Sequence, residues 1–419
     1  MCHPIDEHEL STLLSSANRD FLATLAQRYH LSYQHMRFLI ELAVDLQNWQ
    51  AGLLSSWWSE EEVLKLQGKP RLKALIANLN EKILHLKRSP TSYNDFTFDY
   101  EPTVKSTLIQ NTSSEQLLGR CPCPVEGELT RCCNLLTLDA VKQCGFGCSY
   151  CSIQSFYQQH EILFADDLSH RLQNLELPEG TWHIGTGQSS DSLMWGNSHH
   201  LLDSLVEFAF KHPQVVIELK TKSARTDWIN APVFAPNMVA TWSVNAQSIT
   251  KYEEHGTPSL ENRLLAAQKA TDAGIPVGFH VHPMVHIEDW QKEYGSLIDT
   301  LVNRFDPASV VMVSLGTLTF SKEALKQLRL RDKPSRILQM ELTSCAGKFS
   351  YPMALKEELF SWAYQRFPAS WKQADGPFFY LCMEPPQLWE PVLGRSYENN
   401  AAFELDMKHS YYRSLGIQL

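Results

Sequence analysis

From Leu135 onward the chain alternates short runs of apolar and β-branched residues with longer amphipathic stretches, a pattern that few folds accommodate. The short runs are LLTLDAVK, TWHIGTG, VVIELKTK, MVATWSVN, IPVGFHVHP and SVVMVSLG. Between them lie NSHHLLDSLVEFAFKH, SLENRLLAAQKATDAG and DWQKEYGSLIDTLVNRF, whose apolar residues recur at helical spacing. Units of this kind predict parallel strands with covering helices. Polar residues and glycines recur at the C-terminal ends of many of the runs, which is where an α/β barrel builds its site. A partial or complete barrel is therefore expected rather than an open doubly wound sheet.

The remainder of the chain divides by texture. Residues 1–95 predict an all-helical N-terminal domain: ELSTLLSSANRDFLATLAQRYH and SYQHMRFLIELAVDLQNWQAGLL carry apolar residues at three- and four-residue spacing. In SEEEVLKLQ, Ser59 and Glu62 have the spacing of a capping box. LAQRYHLSYQHMRFLIEL is compatible with a helix-turn-helix, but two ordinary helices joined by a short turn are expected, because the turn lacks glycine. Residues 96–137 form a linker rich in proline, polar residues and cysteine, residues 138–330 the barrel, and residues 331–419 a mixed C-terminal extension.

The start, MCHPIDEHELST, has no basic and apolar leader, and no apolar run reaches the ~20 residues of a membrane helix. The expectation is a cytoplasmic protein with no membrane partner. Its ten cysteines would then sit in a reducing compartment, where clustered thiols hold metal more often than they form disulfides. A formal net charge of -10 disfavours broad non-specific binding to nucleic acid but leaves room for a local basic groove.

The densest chemistry lies in KQCGFGCSYCSIQ, where Cys144, Cys148 and Cys151 follow the spacing C-x3-C-x2-C just after the first strand. Three thiolates can each take one iron of a 4Fe–4S cubane and leave the fourth iron without a protein ligand. A structural zinc would need a fourth protein ligand, and the bacterial ferredoxin pattern is tighter and has a further cysteine nearby. Gly145 and Gly147 let such a loop fold closely around a cluster. The open iron is suited to chelating the amino and carboxylate groups of S-adenosylmethionine. Electron transfer then breaks a carbon–sulfur bond and yields a 5'-deoxyadenosyl radical that abstracts hydrogen. A zinc loop and buried reduced cysteines are the plainer alternatives.

This loop, with the aromatic Tyr150 before its third cysteine, resembles the radical S-adenosylmethionine superfamily. The segments GQSSDSLMW, LKTKSARTDWI, WSVNAQSI, EHGTPSLENRLLAAQKATDAGIPVGFHVHPM and IEDWQKEYGSLIDTL resemble its spore photoproduct lyase branch over roughly residues 138–320. The resemblance implies a partial (β/α)6-type radical S-adenosylmethionine barrel, a 4Fe–4S cluster on Cys144, Cys148 and Cys151, and S-adenosylmethionine as co-substrate. It also implies an electron donor such as flavodoxin or ferredoxin. By the same resemblance Tyr150 lies near the adenine, Lys222 pairs with the S-adenosylmethionine carboxylate, and Ser243 and Asn245 contact its ribose or methionine end. Gly185 and Gly187 let the second strand's end approach the amino group. Each residue also has a structural explanation: a solvated strand-end lysine, polar groups satisfying a barrel end, glycines serving a turn. His280 and His282, two apart on the fifth strand, face one side and fit a pocket, a satisfied interior pair or, less well, a metal.

Two departures bear on the substrate. The branch's hydrogen-donating cysteine sits in the segment matching GQSSDS, where this chain has Gln188. The tyrosine that follows its third cluster cysteine is here Ser152. Substrate classes left open are a nucleic acid or nucleotide, and a protein or small metabolite; a metal-binding regulatory protein without chemistry is a third class. Upstream, RCPCPVEGELTRCCN offers Cys121, Cys123, Cys132 and Cys133 as a second site for zinc or an auxiliary cluster, or as buried thiols with no metal.

Overall fold

A computed structural model describes residues 5–63, 65–99, 106–110, 116–121, 129–152, 161–229, 234–331 and 333–418. The chain forms two compact units. One comprises Met1–Asp99, His286–Glu288 and Phe320–Thr343; the other comprises Tyr100–Val285, Asp289–Thr319 and Ser344–Leu419.

The first unit is built on helices α1 (Ser16–Tyr29), α2 (Tyr33–Asn48) and α3 (Gly68–Arg88). Ser15 and Ser32 cap α1 and α2 by accepting the N–H groups of Asn18 and His35, which satisfies donors a helix start leaves open. The tight turn between them needs no glycine because His30 itself takes the left-handed conformation (φ 49°). Leu22, Leu25, Leu39, Ile40, Leu46, Trp49, Leu75 and Leu79 fill the core. Asn18, wholly buried, ties it together: its Nδ2 donates to Gln47 Oε1 (2.6 Å) and its Oδ1 accepts from Leu54 N–H (3.0 Å). Around Ser59 the expected capped helix is only a short 3-10 turn, Glu61–Val63.

The second unit holds an eight-stranded sheet: β1 (Leu118–Arg120), β2 (Leu136–Leu138), β3 (His183–Thr186), β4 (Val216–Thr221), β5 (Met238–Val244), β6 (Val277–Met284), β7 (Val310–Thr317) and β8 (Phe378–Leu381). Neighbours in space follow chain order from β8 to β1, and every pair is parallel except β1 with β2. The six runs expected from the sequence are β2 to β7. β8, an aromatic stretch in the C-terminal extension, and β1, in the linker, add one strand at each edge. β5 and β7 are buried along their whole length, as parallel strands covered by helices should be. Helices α4 (Leu201–Lys211), α5 (Leu260–Asp272) and α6 (Trp290–Arg304) follow β3, β5 and β6. The architecture is thus the expected partial α/β barrel, and the chain has a helical N-terminal region.

Period-two alternation aims Glu218 and Lys220 of β4, Thr241 and Ser243 of β5, and His280 of β6 at one face of the sheet. Glu218, Thr241 and His280 meet there through hydrogen bonds. That face is the lumen.

Candidate functional site

The three-cysteine loop leaves the sheet after β2 and is pinned from two sides. On one side Ser190 Oγ donates to the Gln143 carbonyl (2.7 Å), while Ser189 Oγ lies 2.6 Å from Asp139 Oδ1 and 2.9 Å from the Val141 carbonyl. On the other, the N–H groups of Gly147 and Ser149 donate to the carbonyls of His255 and Glu253, both at 2.8 Å. Gly145 packs so closely that a Cβ there would lie 2.4 Å from Met194 Cε. Segments that resemble the spore photoproduct lyase branch in sequence, at 187–195 and from 254 onward, therefore flank the loop.

Gly187 closes the turn after β3 with φ +78°. A Cβ on it would lie 2.6 Å from Ser192 Oγ and 2.7 Å from the Lys220 carbonyl. A Cβ on Gly185 would meet Leu135 Cδ2 at 2.7 Å. Both positions require glycine for packing. Behind this turn the buried Asp191 joins β3's exit to β4's end: it accepts from Thr221 Oγ1 (2.6 Å) and from the N–H groups of Leu193 (3.1 Å), Met194 (2.9 Å) and Lys222 (2.6 Å). Burial raises its carboxyl, with these hydrogen bonds opposing the shift.

Lys222 reaches toward the loop. Its Nζ lies 5.8 Å from the Tyr150 ring centroid and 3.9 Å from Glu254 Oε1. Tyr150 donates its hydroxyl to Glu254. Arg263, 0% exposed, holds the same carboxylate at 2.5 Å and donates to the carbonyls of Ser243 and Pro258 (both 3.0 Å) and to Thr257 Oγ1 (2.6 Å). Burial alone would raise Glu254, but the charges of Arg263 and Lys222, with the Tyr150 hydrogen bond, hold it lowered. The structure thus brings Tyr150, Lys222 and the backbone of Ser243 into one network around Glu254. Asn245 stands apart from it: its side chain is buried, donating to the Pro283 carbonyl (2.9 Å) and accepting from Ala246 N–H and Tyr294 OH (both 2.9 Å).

Cys144, Cys148 and Cys151 lie within electrostatic reach of one another, and Phe146 N–H points at Cys144 Sγ (3.4 Å). Burial pushes the Cys148 thiol up to about 12, so a thiolate there calls for a bound cation. Among the described residues no three His, Cys, Asp or Glu side chains form a group that could hold a single metal ion. A cubane asks for something else, one thiolate on each of three irons, and three neighbouring thiols in a glycine loop, Cys148 buried and Cys144 and Cys151 half-buried, with backbone N–H at a sulfur fit it.

The second thiol group is only partly in view, since Cys123 lies outside the described residues. Cys121 N–H donates to the Leu135 carbonyl (3.0 Å) and Cys132 N–H to Asn400 Oδ1 (3.1 Å). The Cys133 thiol is raised well above its ordinary value by a hydrogen bond with Cys132 and by burial, with Cys382 and Cys121 nearby. Cys382 follows β8, donates its N–H to the Leu315 carbonyl of β7 (2.8 Å) and lies near Cys133, so it joins the group. His280 and His282 are interior and both bonded to Ser314 Oγ, at 2.7 and 3.0 Å. Sequence inspection passed over Asp191, Glu254, Arg263 and Cys382. The one available signal was an arginine on the apolar face of SLENRLLAAQKA.

A parallel partial barrel with a three-thiol loop past its first parallel strand has the architecture of radical S-adenosylmethionine proteins. More narrowly, residues 147–352, just under half of the chain, match the family described as spore photoproduct lyase. The resemblance seen in the sequence therefore holds at family level over that region. A spore photoproduct lyase of Clostridium acetobutylicum is 26% identical over 167 residues, which cover 38% of this chain and 50% of the relative. One from Bacillus subtilis is 40% identical over 60 residues, covering 14% and 18%. The chain spans half or less of the length of these curated relatives. A solved spore photoproduct lyase complexed with dinucleoside spore photoproduct aligns at 22% identity and a TM-score of 0.49, covering 61% of this chain and 81% of that one.

Proposed function

We propose that this protein is a radical S-adenosylmethionine enzyme that acts on a nucleic acid or nucleotide. The carrying observation is the loop itself: three neighbouring thiols, one buried and two half-buried, in a loop fixed by backbone hydrogen bonds to residues 253 and 255, with Lys222 and Tyr150 beside them. Cys144, Cys148 and Cys151 would hold a 4Fe–4S cluster. When bound, the cluster and S-adenosylmethionine supply one-electron cleavage of a carbon–sulfur bond and, from it, hydrogen-atom abstraction. Lys222 offers its ammonium to a carboxylate, and Tyr150, locked by Glu254, offers a ring face. Ser243, whose carbonyl is held by Arg263, keeps its hydroxyl for the lumen. The electron would come from a donor such as flavodoxin or ferredoxin. The substrate class is supported by the family matched, one solved member of which carries a dinucleoside ligand.

The test is anaerobic reconstitution with iron and sulfide, followed by dithionite and chromatography for 5'-deoxyadenosine. Wild type should bind iron and release 5'-deoxyadenosine. The variant with Cys144, Cys148 and Cys151 all changed to Ala should do neither, and release by that variant overturns the assignment. Lys222→Met should keep its iron and weaken S-adenosylmethionine binding by about tenfold, the loss of one partly buried charge pair. Gln188, standing where the branch carries its thiol, favours one second reading, a radical enzyme acting on a protein or small metabolite.

A further inference from the structure

The lumen holds a chain of polar groups that the cluster site does not use. Glu218, 2% exposed, receives His183 Nε2 on Oε2 (2.9 Å), and His280 Nε2 and Thr241 Oγ1 on Oε1 (both 2.8 Å). His280 Nδ1 meets Ser314 Oγ, which meets His282 Nε2. Five strands, β3 to β7, contribute to this network, and its hydrogen bonds engage both oxygens of the one carboxylate in it. Burial, then the charge of Lys220, holds His280 down at about 4 and His282 well below its ordinary value, so both rings are uncharged at neutral pH.

Lys220 stands two residues beyond Glu218 on the same strand face, half-buried, and forms no ion pair among the described residues. Its nearest natural partner, Glu218, is occupied by two imidazoles and a hydroxyl. A half-buried ammonium with no acid in contact is available to an anionic group that enters the lumen. On the next strand the Ser243 hydroxyl, two residues beyond the Thr241 that pairs with Lys220 and on the same sheet face, has no hydrogen-bond partner among the described residues, which leaves a free donor on that face. On β7, Gly316 has no side chain to crowd His282: a Cβ there would come within 3.0 Å of its ring.

We propose that Lys220 anchors an anionic group of the substrate in the lumen, namely the phosphodiester of a short nucleotide fragment, with the Ser243 hydroxyl beside it. This rests on the nucleotide reading given above, which supplies one negative charge between two bases to match one lysine. The neutral histidine–serine chain forms the wall. It holds Glu218 in hydrogen bonds and adds no charge of its own.

The test is calorimetric binding to the reconstituted full chain without reductant, so turnover is not needed. The probes are thymidylyl-thymidine and its uncharged methylphosphonate isostere. Wild type should prefer the charged probe by about tenfold, the scale of one partly desolvated charge pair. Lys220→Met should erase that preference, and Lys220→Arg should keep most of it. Equal affinity of wild type for the two probes overturns the proposal, as does a preference that survives in Lys220→Met. If Lys220 only offsets the charge of Glu218 within the fold, Lys220→Met will lose thermal stability while discrimination stays the same. Glutarate serves as a carboxylate control: glutarate binding without dinucleotide binding overturns the phosphodiester. Failure here leaves the cluster assignment to the cysteine variants, which are scored by iron content and 5'-deoxyadenosine.

Discussion

Replacing Arg263 with Met tests whether the layer behind the cluster loop holds the site. Arg263 and Glu254 are buried as a pair, and the arginine also donates to two carbonyls and a threonine hydroxyl. Removing one partner of a buried pair typically destabilises by about 3–5 kcal/mol, because the other charge is left without compensation. Lys222, 3.9 Å away, remains to offset part of this, so the lower end, about 3 kcal/mol, is expected for Arg263→Met. In a unit of this size that corresponds to roughly 6 °C in the unfolding midpoint. The deficit should depend on pH. In wild type the Glu254 pKa is lowered, so its contribution is present above the unfolded carboxylate value and lost as pH falls through the folded one. In the variant burial dominates and raises the carboxyl, so the folded variant takes up a proton earlier and gains stability as pH falls. The gap between the two proteins should therefore narrow from neutral pH toward the carboxylate range. Urea titrations followed by tryptophan fluorescence at several pH values measure it. A gap below ~1 kcal/mol at neutral pH, or one that does not change with pH, refutes the buried-pair argument.

Gly187→Ala should cost at least about 1–2 kcal/mol from the left-handed backbone alone, and more from contact with the Lys220 carbonyl; thermal unfolding and iron content after reconstitution report both. Changing Cys121, Cys123, Cys132 and Cys133 together to Ala should lower metal content below that of wild type if they hold a second metal; equal iron, sulfide and zinc in the two proteins makes them ordinary thiols. A dinucleotide spore photoproduct should not be converted efficiently, because Gln188 and Ser152 offer only strong N–H and O–H bonds for the closing hydrogen transfer. Fast, clean conversion to two thymines by chromatography would refute this and point to Cys382 or Cys345 as donor.

The sheet was legible because its signal is local. Each of the six runs that became β2 to β7 is short and rich in apolar and β-branched residues, and the stretches following β3, β5 and β6 repeat at helical spacing, so strand, helix and parallel order follow from neighbouring residues. β8 was not legible. Phe378–Leu381 is four residues long, with no periodicity to separate it from a core loop, and only its pairing with β7 makes it a strand. The two helices joined by a short turn were legible around His30, but its left-handed conformation was not: glycine is the usual left-handed residue, and nothing in QRYHLSY marks a histidine for that role.

The cluster loop was legible because spacing alone carries its chemistry, whereas the groups that hold it are spread along the chain. Ser189 and Ser190 act on Asp139, Val141 and Gln143; Glu254 gathers Tyr150, Lys222 and Arg263; Asp191 fastens Thr221 and Lys222. Each contact is a single side chain meeting a residue far away in sequence, and no periodic pattern encodes it. The same three-dimensional layer separates two lysines that look alike in LKTKS. Lys222 has an acid, an aromatic ring and the loop around it, while Lys220, one step down the same strand face, has uncharged imidazoles and an occupied carboxylate. That difference in surroundings, invisible in the motif, is the basis on which we propose different work for them: Lys222 at the cofactor end of the lumen and Lys220 at the substrate.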